Sequence, residues 1–324
     1  MTKTIMIDKT GGPEVLQYRD VDVGVPGEAE VRIRQSAVGL NYIDVYQRTG
    51  LYPIPLPGSI GLEGAGVIEV LGPGVDNYKV GDRVAYAGGP PGAYAEARIM
   101  PVAPLVKLPN NIAEQQAAAI MLKGLTVQYL IRRTYRVKAG DTVLLHAAAG
   151  GVGLIACQWL RALGATVIGT VSTEEKAALA KAHGCTHTIL YKNDKFVDRV
   201  RELTNGNGVP VVYDSVGKDT WEDSLSCLQP MGLMVSFGNT SGPVAPINIG
   251  QLAAKGSLFV TRPALATYTA KPNDLQDMAR DLFEALAEGS IKPEISQTYP
   301  LKDAAQAHRD LESSKTVGST VFTV

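Results

Sequence analysis

Over roughly the first 110 residues the apolar positions come in short strand-like runs divided by turn residues. Val31 and Ile33 alternate with Arg32 and Arg34, the period of two expected of a half-buried strand. A more continuous apolar run, Gly66 to Leu71, ends in the turn sequence Gly72-Pro73-Gly74. Val80-Gly81-Asp82-Arg83-Val84 then opens another strand through a tight turn. Many short strands of this kind predict a compact all-β unit, with a partly open barrel as one form it can take.

Near Ile112 the period changes. Gln115 to Arg133 is rich in Ala and Leu and reads mostly as helix. Thr142 to His146 is a strand, after which Val152, Ile155, Ala156, Trp159, Leu160 and Leu163 follow helical spacing, and Gly164 suits the helix stop. Thr166 to Val171 is the next strand and Glu174 to His183 the next helix, with Gly184 suited to its C-terminal cap. Val209 to Asp214 and Leu233 to Phe237 complete the visible strands of this part. Strand–helix alternation at this spacing predicts a parallel sheet with helices on both faces. The last sixty or so residues return to mixed texture: an apolar run at Leu258–Thr261, amphipathic helices over Asp274–Glu288 and Lys302–Ser313, and a closing strand Ser319–Val324.

Composition narrows the class. The chain has 324 residues, which at about 150 per domain suggests two domains. A hydrophobic share of 45% with 19% charged residues excludes a disordered chain. The 31 basic and 32 acidic side chains nearly cancel, so no global field draws the molecule to nucleic acid or an anionic membrane. The start, Met1 to Gly12, lacks the apolar stretch of a signal peptide, and no uninterrupted apolar run reaches the roughly 20 residues of a membrane span. Cys157, Cys185 and Cys227 are odd in number and far apart, which is neither a disulfide framework nor a zinc knuckle. The expectation is a soluble, cytoplasmic protein.

The most informative segment is Thr142-Val-Leu-Leu-His-Ala-Ala-Ala-Gly-Gly-Val-Gly153, an apolar strand that enters a glycine-rich turn and opens a helix. Gly150 and Gly153 stand at the second and third positions of a G-x-G-x-x-G fingerprint, with Ala148 at the first. The second glycine lets the backbone approach a pyrophosphate, and the third permits close packing of helix on strand. The helix N-terminus adds free N–H donors and a partial positive charge. A tight turn with no ligand is the alternative; the strand–turn–helix context favours a dinucleotide.

An NAD-specific site usually carries an acid about 20 residues further on, for the ribose 2′-OH. Here the second strand ends at Val171, and Ser172-Thr173-Glu174-Glu175-Lys176 follows, with no acid at the strand tip. Ser172 supplies a hydroxyl and Lys176 a charge that can meet a 2′-phosphate, so NADPH is expected over NADH. Ser172 and Glu175 also fit an S-x-x-E capping box, which would leave Lys176 a solvated helix residue, and both roles can hold together.

Further residues carry a resemblance. Gly61-Leu-Glu-Gly-Ala-Gly-Val-Ile-Glu-Val-Leu-Gly72, Val80-Gly-Asp-Arg-Val84 and His146-Ala-Ala-Ala-Gly-Gly-Val-Gly153 resemble the medium-chain dehydrogenase/reductase superfamily. Asn41-Tyr-Ile-Asp-Val-Tyr46, Leu122-Lys-Gly-Leu-Thr126, Val211-Val-Tyr-Asp-Ser-Val-Gly217 and Phe237-Gly-Asn239 narrow the likeness to its zinc-free NADPH:quinone reductases, relatives of zeta-crystallin. The resemblance implies an α/β protein with a GroES-like β-rich catalytic domain, residues 1–122 and 265–324, around a doubly wound Rossmann domain, residues 123–264. Zinc alcohol dehydrogenases of the superfamily carry a Cys near the place of Asn41 and a Gly-His-Glu where this chain has Gly61-Leu62-Glu63. Leu cannot ligate a metal, and the four histidines are scattered, so zinc catalysis is not expected.

Without a Lewis acid, a quinone is an easier acceptor than a simple ketone, because hydride addition leaves a stabilised phenolate. The resemblance places Asn41, Tyr46 and Tyr52 around the acceptor, with Asn41 and Tyr46 also at the cofactor. The tyrosines act there as hydrogen-bond donors that orient the acceptor or relay a proton, or else simply pack in a loop rich in Pro53, Pro55 and Pro57, and Asp44 organises the Asn41–Tyr46 loop at the cofactor. It places Thr126, Phe237, Gly238 and Asn239 at the nicotinamide end, Gly150, Gly151 and Val152 at the pyrophosphate, and Ser172, Lys176 and Tyr191 around the adenosine phosphate. Arg262 follows an apolar run and points toward the cofactor or makes a surface ion pair, and Lys315 is a weaker second candidate for the 2′-phosphate. Reduction of activated double bonds in enals or enones uses the same hydride geometry and is the near alternative. An RNA- or NADPH-binding role without catalysis is a more distant one that the charge balance does not support. A homodimer is expected, since an edge strand at Leu258–Val260 needs cover.

Overall fold

A computed structural model describes every residue, Met1–Val324. The chain folds as two compact units: Met1–Leu125 with Thr269–Phe283 and Pro293–Val324, and Thr126–Tyr268 with Glu284–Lys292. The second unit therefore takes in Glu284–Lys292, a stretch that the expected division at 264/265 would give to the β-rich domain. Gln158 holds it there, its amide donating to the Lys292 carbonyl (3.0 Å) while its carbonyl accepts the Lys292 N–H (2.8 Å).

The strands in chain order are β1 (Thr2–Ile7), β2 (Gln17–Val21), β3 (Glu30–Leu40), β4 (Gly58–Ser59), β5 (Glu63–Leu71), β6 (Arg83–Ala87), β7 (Ala97–Pro101) and β8 (Leu105–Lys107), then β9 (Thr142–Leu145), β10 (Thr166–Val171), β11 (His187–Leu190), β12 (Val209–Asp214), β13 (Leu228–Ser236) and β14 (Phe259–Thr261), and finally β15 (Ile295–Pro300) and β16 (Ser319–Thr323). The helices that bear on function are α1 (Tyr42–Thr49), α2 (Glu114–Tyr129), α3 (Gly151–Ala162) and α4 (Glu174–Ala182).

In the first unit β3 organises the larger sheet, ordered β15-β16-β3-β5-β6-β8. One edge of β3 pairs with β7 over its first half and with β16 over its second, while the other edge pairs with β5. Its period of two is real: Val31 and Ile33 are fully buried, and Arg32 and Arg34 reach Glu69 at 3.4 and 3.2 Å. Ile5, Ile33, Ile68, Tyr86, Met100 and Phe322 are among the apolar residues of the core.

The second unit is a six-stranded, all-parallel sheet in the order β11-β10-β9-β12-β13-β14. Numbered within the unit this is 3-2-1-4-5-6, the doubly wound order, and it reverses between β9 and β12, where such sheets bind ligands at the carboxyl ends of their strands. Three local expectations shift. The helix read over Gln115–Arg133 ends at Tyr129 and widens into a π turn, Leu130–Thr134, where the Leu130 carbonyl accepts both the Tyr135 N–H (3.1 Å) and the Tyr213 hydroxyl (3.2 Å). The strand read as Leu233–Phe237 starts earlier, at Leu228, because an irregularity around Met231 lets it pair with β12 again. Helix α4 is capped by Thr173, whose Oγ accepts the Lys176 N–H (3.3 Å), so the expected capping box led by Ser172 gives way to a cap one residue later.

A buried polar chain in the first unit anchors α1. Asp44 Oδ2 accepts the Asn41 backbone N–H and the Tyr94 hydroxyl, each at 2.9 Å. Tyr94 Oη lies 3.1 Å from His308 Nε2, and His308 Nδ1 lies 3.1 Å from Arg48 Nη1. The Arg48 guanidinium, almost wholly buried, grips Glu312 with both ends (2.9 and 2.7 Å) and the Gly11 carbonyl with Nε (3.1 Å). Since Tyr94 donates to Asp44, its oxygen accepts from His308 Nε2–H, which leaves Nδ1 to accept from Arg48. The imidazole is thus neutral.

Burial raises the Asp44 carboxyl from 3.8 to about 7, and burial together with Arg48 lowers His308 from 6.5 to about 3. The two shifts oppose each other in their effect on stability. Asp44's contribution is full below 3.8 and is lost as pH rises to about 7, whereas that of His308 is full above 6.5 and is lost as pH falls to about 3. Between 3.8 and 6.5 folding therefore exchanges a proton from one residue to the other without net uptake. His308→Gln should uncover a stability that falls as pH rises through this window, and Asp44→Asn one that falls as pH drops, each by about 1.4 kcal/mol per pH unit. Urea unfolding between pH 4.5 and 6.5, approximately, measures both; parallel pH profiles for the two variants would contradict the paired shifts.

Candidate active site

The sheet of the second unit carries one group of the candidate residues. Helix α3 begins directly after Gly150, its N-cap, which lies at φ −78° and ψ 173°. A Cβ at Gly150 would approach the Ala147 carbonyl oxygen at 3.3 Å, tight but tolerable. At Gly153 a Cβ would run into that same oxygen and stand 2.7 Å from the Ala148 carbonyl carbon. Gly153 thus lets α3 close on the turn, and the turn bends through Ala147 at φ 54°, a left-handed residue where glycine is more usual. The N-terminus of α3 is left facing outward beside Gly150, Gly151 and Val152, which are half-buried.

A second buried network braces this end of the sheet. Asp214, the last residue of β12, accepts the Val216 and Gly217 N–H groups on Oδ1 (2.8 and 3.0 Å) and the Thr220 and Ser224 hydroxyls on Oδ2 (2.7 and 2.9 Å). Ser224 Oγ lies 2.9 Å from His146 Nε2, and His146 Nδ1 lies 2.9 Å from Thr170 Oγ1. The chain joins the ends of β12, β9 and β10. Ser224 and His146 are buried, and burial lowers the His146 pKa, so this Ser–His–Asp sequence is a scaffold rather than a nucleophile.

At the tip of β10, Ser172 follows Val171, whose carbonyl accepts the Tyr191 N–H at 3.3 Å. Ser172, Lys176 and Tyr191 are thereby brought to one place. Burial, and after it the charge of Lys192, push Lys176 below the ordinary lysine pKa. Lys176 and Lys192 are thus within electrostatic reach of one another, at a strand tip that carries no acid. Lys192 was not singled out in the sequence; its position next to Tyr191 was the available signal. Lys315 is highly exposed and 4.0 Å from Asp310.

Beyond β13, a Cβ at Gly238 would collide with the Ser215 carbonyl, so the two loops touch backbone to backbone. Arg262 ties this loop down, donating to Ser236 Oγ (3.2 Å), to the Gly238 carbonyl (2.9 Å) and to Asn239 Oδ1 (3.0 Å) with the Asn239 amide turned to donate to Gly238 O (2.8 Å). Arg262 thus braces the loop of Gly238 and Asn239. Thr126 is buried and its side chain interacts with Tyr129, whose ring stacks on Tyr268 at 4.5 Å between centroids.

In the first unit Tyr46 stands over Tyr52 edge to face (5.1 Å) and beside Tyr42 (5.7 Å), and the Tyr52 N–H donates to the Tyr46 carbonyl (3.0 Å). Asn41 caps α1, and its Nδ2 donates to Glu63 Oε2 at 2.7 Å. Glu63 also accepts Lys123 Nζ (3.1 Å) and the Leu122 N–H (2.7 Å). Asp44 is wholly buried in the chain described above, which suits organising the loop rather than touching a ligand. The residues do not fit a zinc ion: Glu63 is taken up by Asn41, Lys123 and Leu122, and no three His, Cys, Asp or Glu side chains converge as a metal-holding group. Tyr42, Glu63 and Lys123 were not assigned roles from the sequence. Lys123, the lone charge between Ala117 and Val127, was the legible clue.

Residues 27–110 match the alcohol dehydrogenase GroES-like domain, and residues 151–284 match the zinc-binding dehydrogenase domain. The chain is 56% identical over 323 residues to a quinone oxidoreductase of Pseudomonas aeruginosa, covering 99% of both. It is 45% identical over 330 residues to a 2-haloacrylate reductase of Burkholderia, again covering 99% of both. Among solved structures, an Escherichia coli quinone oxidoreductase in complex with NADPH superposes with a TM-score of 0.98 at 49% identity, covering 99% of this chain and 100% of that one.

The glycine turn yields a graded expectation. Gly153→Ala should destabilise the fold by about 1–3 kcal/mol, because the new methyl meets backbone that cannot yield. Gly150→Ala should fold normally and lose dinucleotide affinity. Thermal unfolding and cofactor titration of the two variants separate these effects, and a fully stable Gly153→Ala protein would contradict the packing argument.

Proposed function

The chain belongs to the quinone oxidoreductase family of the medium-chain dehydrogenase/reductase superfamily, and we infer that it reduces quinones with NADPH as cofactor. The observation that carries this reading is a glycine turn open at a helix N-terminus, with Lys176 and Lys192 beside an acid-free strand tip. When bound, NADPH supplies a hydride to the acceptor.

The chain's own contribution is orientation, exclusion of water and hydrogen bonding. Gly150, Gly151 and Val152 hold the pyrophosphate, and Ser172, Lys176, Tyr191 and Lys192 hold the adenosine and its 2′-phosphate. Thr126, Phe237, Gly238 and Asn239, the last two steadied by Arg262, attend the nicotinamide. Asn41, Tyr46 and Tyr52 orient the acceptor through an amide and two phenols, and Asp44 keeps α1 in place behind them. A quinone suits such a site, since its reduced form is a stabilised phenolate that needs no Lewis acid. The 2-haloacrylate reductase relative favours a second reading, reduction of an activated carbon–carbon double bond with the same residues.

No helix is long and apolar enough to cross a membrane, and the three cysteines are free and buried, which suits work in the reducing cytoplasm. Self-association has a candidate surface in β14, an edge strand on which Phe259 is 60% exposed and Val260 37%. An exposed apolar edge is normally covered, and a second copy pairing β14 with β14 would cover it as a homodimer.

Oxidation of NADPH and of NADH by the purified protein, with 1,4-benzoquinone or an enone as acceptor, tests the reading. Quinone turnover that prefers NADPH is expected. Turnover on the enone alone would transfer the assignment to the second reading. Lys176→Ala should weaken NADPH relative to NADH by roughly 10- to 150-fold, toward the lower end because Lys192 remains. Equal losses for both cofactors would remove Lys176 from the phosphate site. For the dimer, Phe259→Lys should shift the sedimentation coefficient to that of a monomer, and an unchanged coefficient would direct the search to another surface.

A further inference from the structure

Glu63 and Lys123 form an ion pair inside the first unit, the carboxylate fully buried and the lysine nearly so. A buried ion pair is poor value for stability, since apolar residues of similar volume generally do as well or better. Its geometry is nevertheless specific. Glu63 Oε2 accepts from both Asn41 Nδ2 (2.7 Å) and Lys123 Nζ (3.1 Å), and Oε1 accepts the Leu122 N–H (2.7 Å). Lys123 also donates to the carbonyl of Leu40 (3.3 Å), the residue immediately before Asn41. The backbone leaves room for this at Gly39, where any Cβ would collide with Glu63 Oε2 and the Ala118 carbonyl.

The effect falls on Asn41. A carboxamide has two ends of nearly equal size and opposite polarity, and its last torsion is soft. A carboxylate accepts only, so Glu63 admits the NH2 end of Asn41 and excludes the oxygen. Lys123 compensates the carboxylate's charge and secures the backbone entering Asn41. We propose that Glu63 and Lys123 are positioning residues for the reaction, acting through Asn41 to hold its amide in one orientation toward the acceptor. The proposal rests on the assignment of Asn41 to the acceptor, made above. With one Nδ2–H given to Glu63, the second is the donor left for a developing negative charge, and a donor held in place gains because no reorganisation is left to the moment of reaction.

A double-mutant cycle tests it, with Glu63→Gln, Asn41→Ala and the double variant. The readouts are kcat on 1,4-benzoquinone, NADPH affinity by fluorescence titration, and thermal unfolding. Gln offers an NH2 group where Glu63 only accepts, so Glu63→Gln should lower kcat by about 10- to 100-fold, the scale of a misplaced reacting group. NADPH affinity should stay within about twofold of wild type, a change smaller than one lost hydrogen bond produces. In the Asn41→Ala background the same substitution should have no further effect on kcat. An undiminished kcat in Glu63→Gln, or the same fold-loss with and without Asn41, overturns the proposal. If Glu63→Gln does not fold, Glu63→Asp runs the same cycle, for it keeps the charge opposite Lys123 and withdraws the oxygen from Asn41 by one methylene. If wild type binds NADPH but leaves benzoquinone unreduced, the quinone reading fails, and the cycle repeated on an enone decides the positioning role separately.

Discussion

An ionised carboxylate moved from water to a protein interior costs several kcal/mol unless hydrogen bonds and opposite charge restore what the solvent supplied. Glu63, Asp44 and Asp214 are all fully buried, and the local architecture follows from how each is compensated. Asp214 collects four donors from its own loop and a nearby helix, and through Ser224 engages His146 and then Thr170. Glu63 takes an ammonium and two N–H donors. Asp44 has two donors, one carboxylate oxygen without a partner, and a pKa raised by burial to about 7.

The two units use this constraint differently. In the second, the hydrogen bonds of Asp214 join strand ends, so the loops that follow β9 and β12 stand on a braced platform. Close backbone approaches at Gly153 and Gly238 add to that rigidity, and Arg262 closes the loop after β13. A pyrophosphate site needs such fixed N–H donors, since donors that reorganise return part of the binding energy. In the first unit the buried chains instead fix side chains of a short helix and its cap. Arg48 reaches from α1 to His308 and Glu312, far along the sequence, and the neutral imidazole is kept so by its burial and by Arg48.

The same observations explain how differently the parts of the site could be read. Gly150 and Gly153 were legible because their spacing answers a local steric demand, and the absence of an acid after Val171 was legible because strand ends can be counted. Lys192 joins Lys176 only when β10 and β11 lie side by side. The cap of α4 moved from Ser172 to Thr173 because both residues satisfy the pattern and only the backbone path chooses between them. Leu130–Thr134 departs from a regular helix where a tyrosine from β12 competes for a carbonyl, which no helical periodicity can anticipate.

From sequence alone came the elements, their alternation, the dinucleotide turn and the resemblance that named the chemistry, because each is written in residues near one another along the chain. The tertiary structure alone decided the partners of the buried charges: Glu63 with Lys123 and Asn41, Asp44 with Tyr94, Arg48 with His308 and Glu312. Those pairings join residues separated by as few as 22 and as many as 264 positions. A charge in an apolar stretch announces that it must be compensated, but what compensates it depends on which segments the fold brings together.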